Sequence, residues 1–106
     1  MNREEIYDIS FQLILHSGNA RSLSMEAIYE SKNGNFKTAS EKLLEAGTEL
    51  NLAHKFQTQL IQSEAGGDKY DISIILVHAQ DHLMTAMTLK DLAVELVEIR
   101  EEIKTR

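Results

Sequence analysis

The chain has 106 residues, a formal net charge of −6, no cysteine and no proline. This length fits a single domain, and the lack of cysteine excludes disulfides and thiolate metal sites. Nucleic acids and anionic membranes attract clustered Lys and Arg, so an acidic chain argues against both as partners. No apolar run approaches the roughly 18 residues of a membrane span, and Met1–Asp8 lacks the pattern of a signal peptide. We therefore expect a soluble cytoplasmic protein with no direct membrane insertion.

Two breaks divide the chain into three segments of helical length. They are NGN at Asn33–Asn35 and AGGDKYD at Ala65–Asp71. Between and around them the sequence predicts helices at about 3–32, 35–64 and 71–104, in one domain that spans residues 1–106. Helices joined by short turns pack antiparallel, so the predicted fold class is all-α, an up-down-up three-helix bundle.

Apolar residues recur every three to four positions in the first two segments, which is typical of amphipathic helices. In the first segment these positions are Ile6, Ile9, Leu13, His16, Ala20, Leu23 and Ala27. In the second they are Phe36, Ala39, Leu43, Ala46, Leu50, Ala53, Gln57 and Leu60. Only His16 and Gln57 interrupt the two stripes. Gly18, inside the first helix, indicates a kink or a close contact between helices.

The third segment carries two stripes instead of one. The first is Ile75, His78, His82, Thr85, Leu89, Leu92, Leu96, Ile99 and Ile103. The second is Leu76, Ala79, Leu83, Ala86, Lys90, Ala93 and Val97. A helix that is apolar over most of its circumference is buried on more than one side. Since one protomer covers only one of these sides, we expect the third helix to form an oligomer interface as well.

A polar cluster lies within this apolar arc. His78, Asp81 and His82 occupy positions i, i+3 and i+4, so they project from one face of the helix. Burying such groups without partners costs about 1–3 kcal/mol for each of them. They therefore need each other, a second subunit, a metal ion or a ligand.

Three interpretations of the histidines are open on spacing alone. A single helical histidine is most often a structural, hydrogen-bonded residue, and His16 and His54 are assigned to that class. A His-x-x-Asp-His pattern can also bind a transition metal, because two imidazoles four residues apart can share one ion. Alternatively, one imidazole is a nucleophile towards phosphorus, held on a half-buried surface.

The stretch HAQDHLMTAMTLKDLAVELVE, His78–Glu98, resembles the C-terminal helix of a known protein family. This family is the lactose/cellobiose-type enzyme IIA component of the bacterial phosphoenolpyruvate-dependent sugar phosphotransferase system. The resemblance continues through SGNARSLSMEAI, NGNFKTASEKLLEAG and AHKFQTQLIQSEAGG, and so covers nearly the whole chain in order. It implies a three-helix protomer that assembles into a nine-helix homotrimer.

The resemblance also implies a function and a site. His78 matches the histidine that accepts a phosphoryl group from the histidine-containing phosphocarrier protein and passes it to the cysteine of enzyme IIB. His82 and Gln80 match residues beside the phosphohistidine. Apart from the resemblance, phosphoryl transfer needs donors around the phosphoryl oxygens, which makes Thr85 a further candidate. Asp81 matches the residue that three subunits direct at one axial metal ion.

Three converging carboxylates repel, and a hard cation with oxygen ligands offsets that repulsion, so Mg²⁺ is the expected ion. The implied protein is a phosphotransferase component that serves a membrane enzyme IIC during import of a β-linked disaccharide of the lactose, cellobiose or chitobiose type. Which disaccharide is imported does not follow from the sequence. The alternative is a metal-binding or structural helical-bundle trimer without phosphoryl transfer.

Overall fold

The computed structural model describes residues 1–105, which form three helices. These are α1 (Arg3–Lys32), α2 (Phe36–Ala65) and α3 (Ile74–Thr105), and residues 1–105 contain no strand. The molecule measures 56 × 19 × 18 Å. A helix of 30 residues is about 45 Å long, so the three helices run side by side along the long axis. The predicted all-α, up-down-up three-helix bundle is therefore confirmed for the protomer.

Local capping groups set the helix ends. The side chain of Asn2 accepts a hydrogen bond of 2.8 Å from the Glu5 amide at the start of α1. The turn between α1 and α2 contains Gly34 at φ +79°, a left-handed conformation that glycine adopts without strain. The third helix begins at Ile74 instead of near residue 71, because Ser73 is its N-cap and accepts from the Leu76 amide at 3.1 Å.

Small residues repeat every seven positions along the buried face of each helix. They are Ser10, Ser17, Ser24 and Ser31 on α1, Ala39, Ala46 and Ala53 on α2, and Ala79, Ala86 and Ala93 on α3. A seven-residue repeat gives 3.5 residues per turn, the periodicity of a left-handed coiled coil. The distance between packed helices depends on the side chains at the contact, so these residues favour a close approach.

The larger apolar side chains form two separate core clusters. One contains Ile6, Ile9, Leu13, Leu60, Leu76 and Leu83, together with buried alanines. The other contains Leu43 and Val97, with Phe36, Ile28 and Val94 packed against it. Ser17, Ser24, Ala46 and Ala86 are buried but belong to neither cluster. The bundle is therefore held by bulky side chains towards its ends and by close backbone packing between them.

One side of α3 remains uncovered in the protomer. Its exposed large apolar residues are Ile74, Val77, Met84, Leu92, Leu96, Ile99 and Ile103, and we call this surface the open face of α3. A shallow groove of about 390 Å³ lies on it, lined by Met84, Thr85, Thr88, Leu89 and Leu92. Apolar surface on α3 thus extends beyond what α1 and α2 cover, as the two stripes predict. Within residues 1–105, no helix combines the length and apolarity needed to cross a membrane.

Candidate functional site

The two histidines of the polar cluster lie against each other on α3. Their ring centroids are 5.7 Å apart and the ring planes are inclined by 29°. His78 is exposed to solvent, whereas His82 is partly buried. A methyl group added to Gly18 of α1 would lie 3.6 Å from Nε2 of His82, which is ordinary contact distance. Gly18 therefore marks a close approach between α1 and α3, where His82 is partly covered and His78 stays accessible.

Asp81 lies on the open face of α3. Its side chain is exposed, and its carboxylate has no hydrogen bond or ion pair within residues 1–105. Across the same residues, no group of three or more His, Asp or Glu side chains is arranged to hold a metal ion. Within the described residues, Asp81 therefore belongs to no group of side chains that could hold a metal ion.

Gln80 lies on the other side of α3 and faces α2. Nε2 of Gln57 donates a hydrogen bond of 2.8 Å to Oε1 of Gln80, and it lies 3.9 Å from Sδ of Met84. Residues two apart on a helix are separated by about 200°, so a single chain does not bring Gln80 beside His78. The polarity of Gln57 at a core position signals that it needs a partner, but the sequence does not identify that partner as Gln80.

Thr85 does not offer its hydroxyl group to a ligand. Its Oγ1 donates to the backbone carbonyls of Asp81 and His82, at 3.0 and 3.2 Å. The single hydroxyl proton is therefore used inside α3. Threonine in a helix readily bonds to the preceding turn, so contact between Thr85 and a phosphate stays a prediction that would require this hydroxyl to reorient.

The open face has two chemically different edges. With about 100° per residue, His78 lies about 60° and His82 about 100° to one side of Asp81. Met84 lies about 60° and Gln80 about 100° to the other side. We call these the histidine edge (His78, His82) and the glutamine edge (Gln80, Met84), with Asp81 midway between them.

The remaining histidines lie away from this cluster. Nδ1 of His16 is 2.6 Å from Oε2 of Glu49, and the His16 ring stacks on Phe56 with centroids 6.1 Å apart. His16 is therefore a structural residue between α1 and α2, as its spacing predicts. His54 is exposed on α2.

An accessible imidazole packed on a second imidazole is chemically suited to reversible phosphorylation. Residues 8–101 match the family model described as the lactose/cellobiose-specific IIA subunit of the phosphotransferase system. The chain belongs to this family. The match includes the whole His78–His82 cluster and also Gln57, so both edges of the open face lie inside the family domain.

Individual IIA proteins are similar over nearly their full lengths. The chain is 54% identical to the lichenan-specific phosphotransferase enzyme IIA component of Bacillus subtilis, over 94% of this chain and 91% of that protein. The crystal structure of the cellobiose-specific enzyme IIA from Bacillus anthracis matches with a TM-score of 0.93 and 48% identity, covering 100% of this chain and 95% of that one.

A third similar IIA protein was solved together with a partner. It is the chitobiose IIA in the solution structure of the IIA–HPr complex from the Escherichia coli phosphotransferase system. Its TM-score is 0.81 at 41% identity, with 93% of this chain and 96% of that chain covered. The three similar IIA proteins are named for three different sugars, so membership of the IIA family does not specify the sugar.

Proposed function

We propose that this IIA chain is a cytoplasmic phosphocarrier that accepts a phosphoryl group on His78 and passes it to the cysteine of enzyme IIB. The observation that carries the proposal is the exposed ring of His78, packed on His82, in a chain of the IIA family. Phosphoryl transfer asks the protein mainly for a well-positioned nucleophile and donors around the phosphoryl oxygens. The accessible imidazole of His78 meets the first requirement, and the second histidine lies near enough to supply one donor.

His82 is the supporting member of the pair. Since its ring packs on His78 and is partly buried, it has less freedom than the exposed ring of His78. We assign it two roles, to restrict the orientation of the His78 ring and to donate a hydrogen bond to the phosphoryl group. Neither role requires His82 to form a covalent bond.

The histidine-containing phosphocarrier protein is the proposed donor, and enzyme IIB, which works with the membrane enzyme IIC, is the proposed acceptor. The similar chitobiose IIA forms a complex with HPr, which supports the first assignment. Exposed apolar side chains suit the core of a protein interface. Phe11 and Leu15 are exposed and share the α1 face that carries Gly18, so they provide such a surface beside the histidine edge. Both partners must reach His78, so they bind one after the other.

We also propose that the chain forms a homotrimer, a nine-helix bundle with the three copies of α3 at its centre. The apolar open face supports this, because contiguous exposed apolar surface marks an association site. In a closed ring the contacts are heterologous, and one edge of each copy meets the opposite edge of the next. The histidine edge of one subunit then faces the glutamine edge of its neighbour, and the three Asp81 side chains face the axis.

A divalent cation, Mg²⁺, is the proposed occupant of that axis. The free carboxylate of Asp81 fits this assignment, since hard cations take oxygen ligands and each subunit would supply one. When bound, the ion supplies positive charge that offsets the repulsion between the three carboxylates. The alternative function, a metal-binding or structural trimer without phosphoryl transfer, gives no role to the exposed ring of His78.

The proposed transport substrate is a β-linked disaccharide, of the type named by the cellobiose and chitobiose relatives. The function is tested by a relay experiment. The protein is phosphorylated with labelled phosphoenolpyruvate, enzyme I and HPr, separated from them, and mixed with purified enzyme IIB. Transfer of the label to IIB supports the phosphocarrier role, and a protein that accepts no label would refute it. Growth of a deletion strain on individual disaccharides then identifies the sugar.

A further inference from the structure

Gln57 occupies a position where the bundle otherwise buries apolar residues. It lies between Ala53 and Leu60 in the 3–4 spaced stripe of α2, and both of those neighbours are buried. Its side chain is partly buried, and its contacts are to α3, to Oε1 of Gln80 and Sδ of Met84. A polar group at such a position costs stability unless it is hydrogen-bonded, so its partner on α3 explains how it is tolerated.

The direction of this hydrogen bond fixes the orientation of Gln80. An amide side chain has an oxygen that accepts and an NH₂ group that donates. Since Nε2 of Gln57 donates to Oε1 of Gln80, the oxygen of Gln80 is held towards α2. The Met84 sulfur, which is also an acceptor, lies near the same Gln57 nitrogen. Its position therefore agrees with the assignment of that atom as the NH₂ group of Gln57. The NH₂ group of Gln80 has no acceptor within residues 1–105 and remains available to a ligand.

We infer that Gln57 is a positioning residue, which holds the NH₂ group of Gln80 towards the phosphoryl group on His78 of the neighbouring subunit. This inference rests on the proposed function. In one chain, His78 and Gln80 lie on opposite edges of the open face, about 160° apart around α3. A cyclic assembly brings the two edges together between subunits. Phosphoryl transfer requires hydrogen-bond donors around the phosphoryl oxygens. The two N–H bonds of the Gln80 side chain, oriented by Gln57, would supply such donors.

The chain offers matched variants for a test. Gln57→Met keeps the length and packing of the side chain but removes the donor to Gln80. Gln80→Met removes the proposed contact to the phosphoryl group itself. Gln59→Met is the control, because Gln59 is an exposed glutamine on the same helix. Circular dichroism and urea unfolding establish that each variant is folded before its kinetics are compared.

The rate of phosphoryl transfer from phosphorylated HPr is then measured for the single variants and for the double variant. Gln57→Met should slow transfer about fivefold to tenfold, the size of one lost neutral hydrogen bond, while Gln59→Met keeps the parent rate. Since Gln57 acts through Gln80, the double variant should be no slower than Gln80→Met alone. A Gln57→Met protein that transfers at the parent rate, or losses that multiply in the double variant, would overturn the inference.

A spectroscopic measurement separates this inference from the proposed function. The side-chain NH₂ resonances of Gln80 should shift when the parent protein is phosphorylated, and the shift should be much smaller in Gln57→Met. If the parent becomes phosphorylated on His78 but these resonances do not respond, the positioning role is wrong and the proposed function stands. If the parent accepts no phosphoryl group, the proposed function fails, and the inference fails with it.

Discussion

The imidazole rings of His78 and His82 lie 5.7 Å apart, and Nε2 of His82 faces Gly18 of α1 across a gap that a methyl group would fill. His78 is the accessible ring of this pair, and His82 is the partly buried one. This arrangement links the proposed nucleophile to a different helix, because His78 packs on His82 and His82 faces Gly18 of α1. A side chain at position 18 therefore acts on His78 from outside α3.

Substitutions at Gly18 test that link in a graded way. A methyl group there makes ordinary contact with His82, so Gly18→Ala should be tolerated and should stabilise α1 by up to about 1 kcal/mol. Gly18→Leu must displace the His82 ring and should slow phosphorylation while the bundle remains helical. Urea unfolding and phosphorylation rates check the two expectations. Equal phosphorylation rates for the alanine and leucine variants would contradict the supporting role of His82.

The open face of α3 should control association. Leu96 on this face is 45% exposed, and Leu44 on α2 is 75% exposed. Leu96→Lys places a charge where the proposed trimer buries apolar surface, so it should shift the protein towards monomers. Leu44→Lys is the matched control and should keep the parent mass. Sedimentation velocity measures both variants, and a parent that is monomeric at all concentrations would contradict the trimer.

Asp81 should make the trimer dependent on divalent ions. A ligand that binds only the assembled state stabilises it by mass action, so a chelator should promote dissociation of the parent protein. Asp81→Leu removes the repulsion between carboxylates and adds apolar area, so this variant should remain trimeric with or without chelator. Sedimentation velocity in magnesium and in chelator measures the assembly state of both proteins under the two conditions. A leucine variant that dissociates while the parent stays assembled would exclude the axial metal.

The buried serines of α1 provide a test of the core. Ser24 donates to the Ala20 carbonyl at 2.8 Å, whereas Oγ of Ser17 is buried without a partner within residues 1–105. An unpaired buried hydroxyl costs about 1–3 kcal/mol, so Ser17→Ala should raise the free energy of unfolding by about 1 kcal/mol. Ser24→Ala also removes a hydrogen bond and should gain less. Urea unfolding compares them, and a Ser17→Ala protein that is less stable than the parent would show that Ser17 has a partner in solution.

The sequence predicts the helices well because the apolar spacing that reveals a helix is also what buries one of its faces in the bundle. Apolar residues recur at helical spacing, the breaks contain glycine, and no proline interrupts a segment. The start of α3 was predicted too early because the local cap at Ser73, not the apolar pattern, determines it. The excess apolar surface on α3 was also visible, since two stripes on one helix cannot both face the same core.

The candidate site is only partly predictable from the sequence. His78, Asp81 and His82 share one face by spacing, and they do so in the structure. The partner of Gln80 could not be predicted, because the rotation of α2 relative to α3 is a tertiary property. Gln57 therefore appeared only as an interruption of a stripe. Spacing also does not reveal that the hydroxyl of Thr85 bonds to the α3 backbone.

Phosphorylation of His78 is the central step of the proposed function, and one mass-spectrometric experiment tests it directly. The parent protein, His78→Gln and His82→Gln are each incubated with phosphoenolpyruvate, enzyme I and HPr, and then kept at neutral or alkaline pH during peptide mapping. We predict one acid-labile phosphoryl group per chain on His78 in the parent, none on His78→Gln, and slower labelling of the same residue in His82→Gln. Full labelling of the His78→Gln variant on another residue, with its helicity unchanged, would contradict the account.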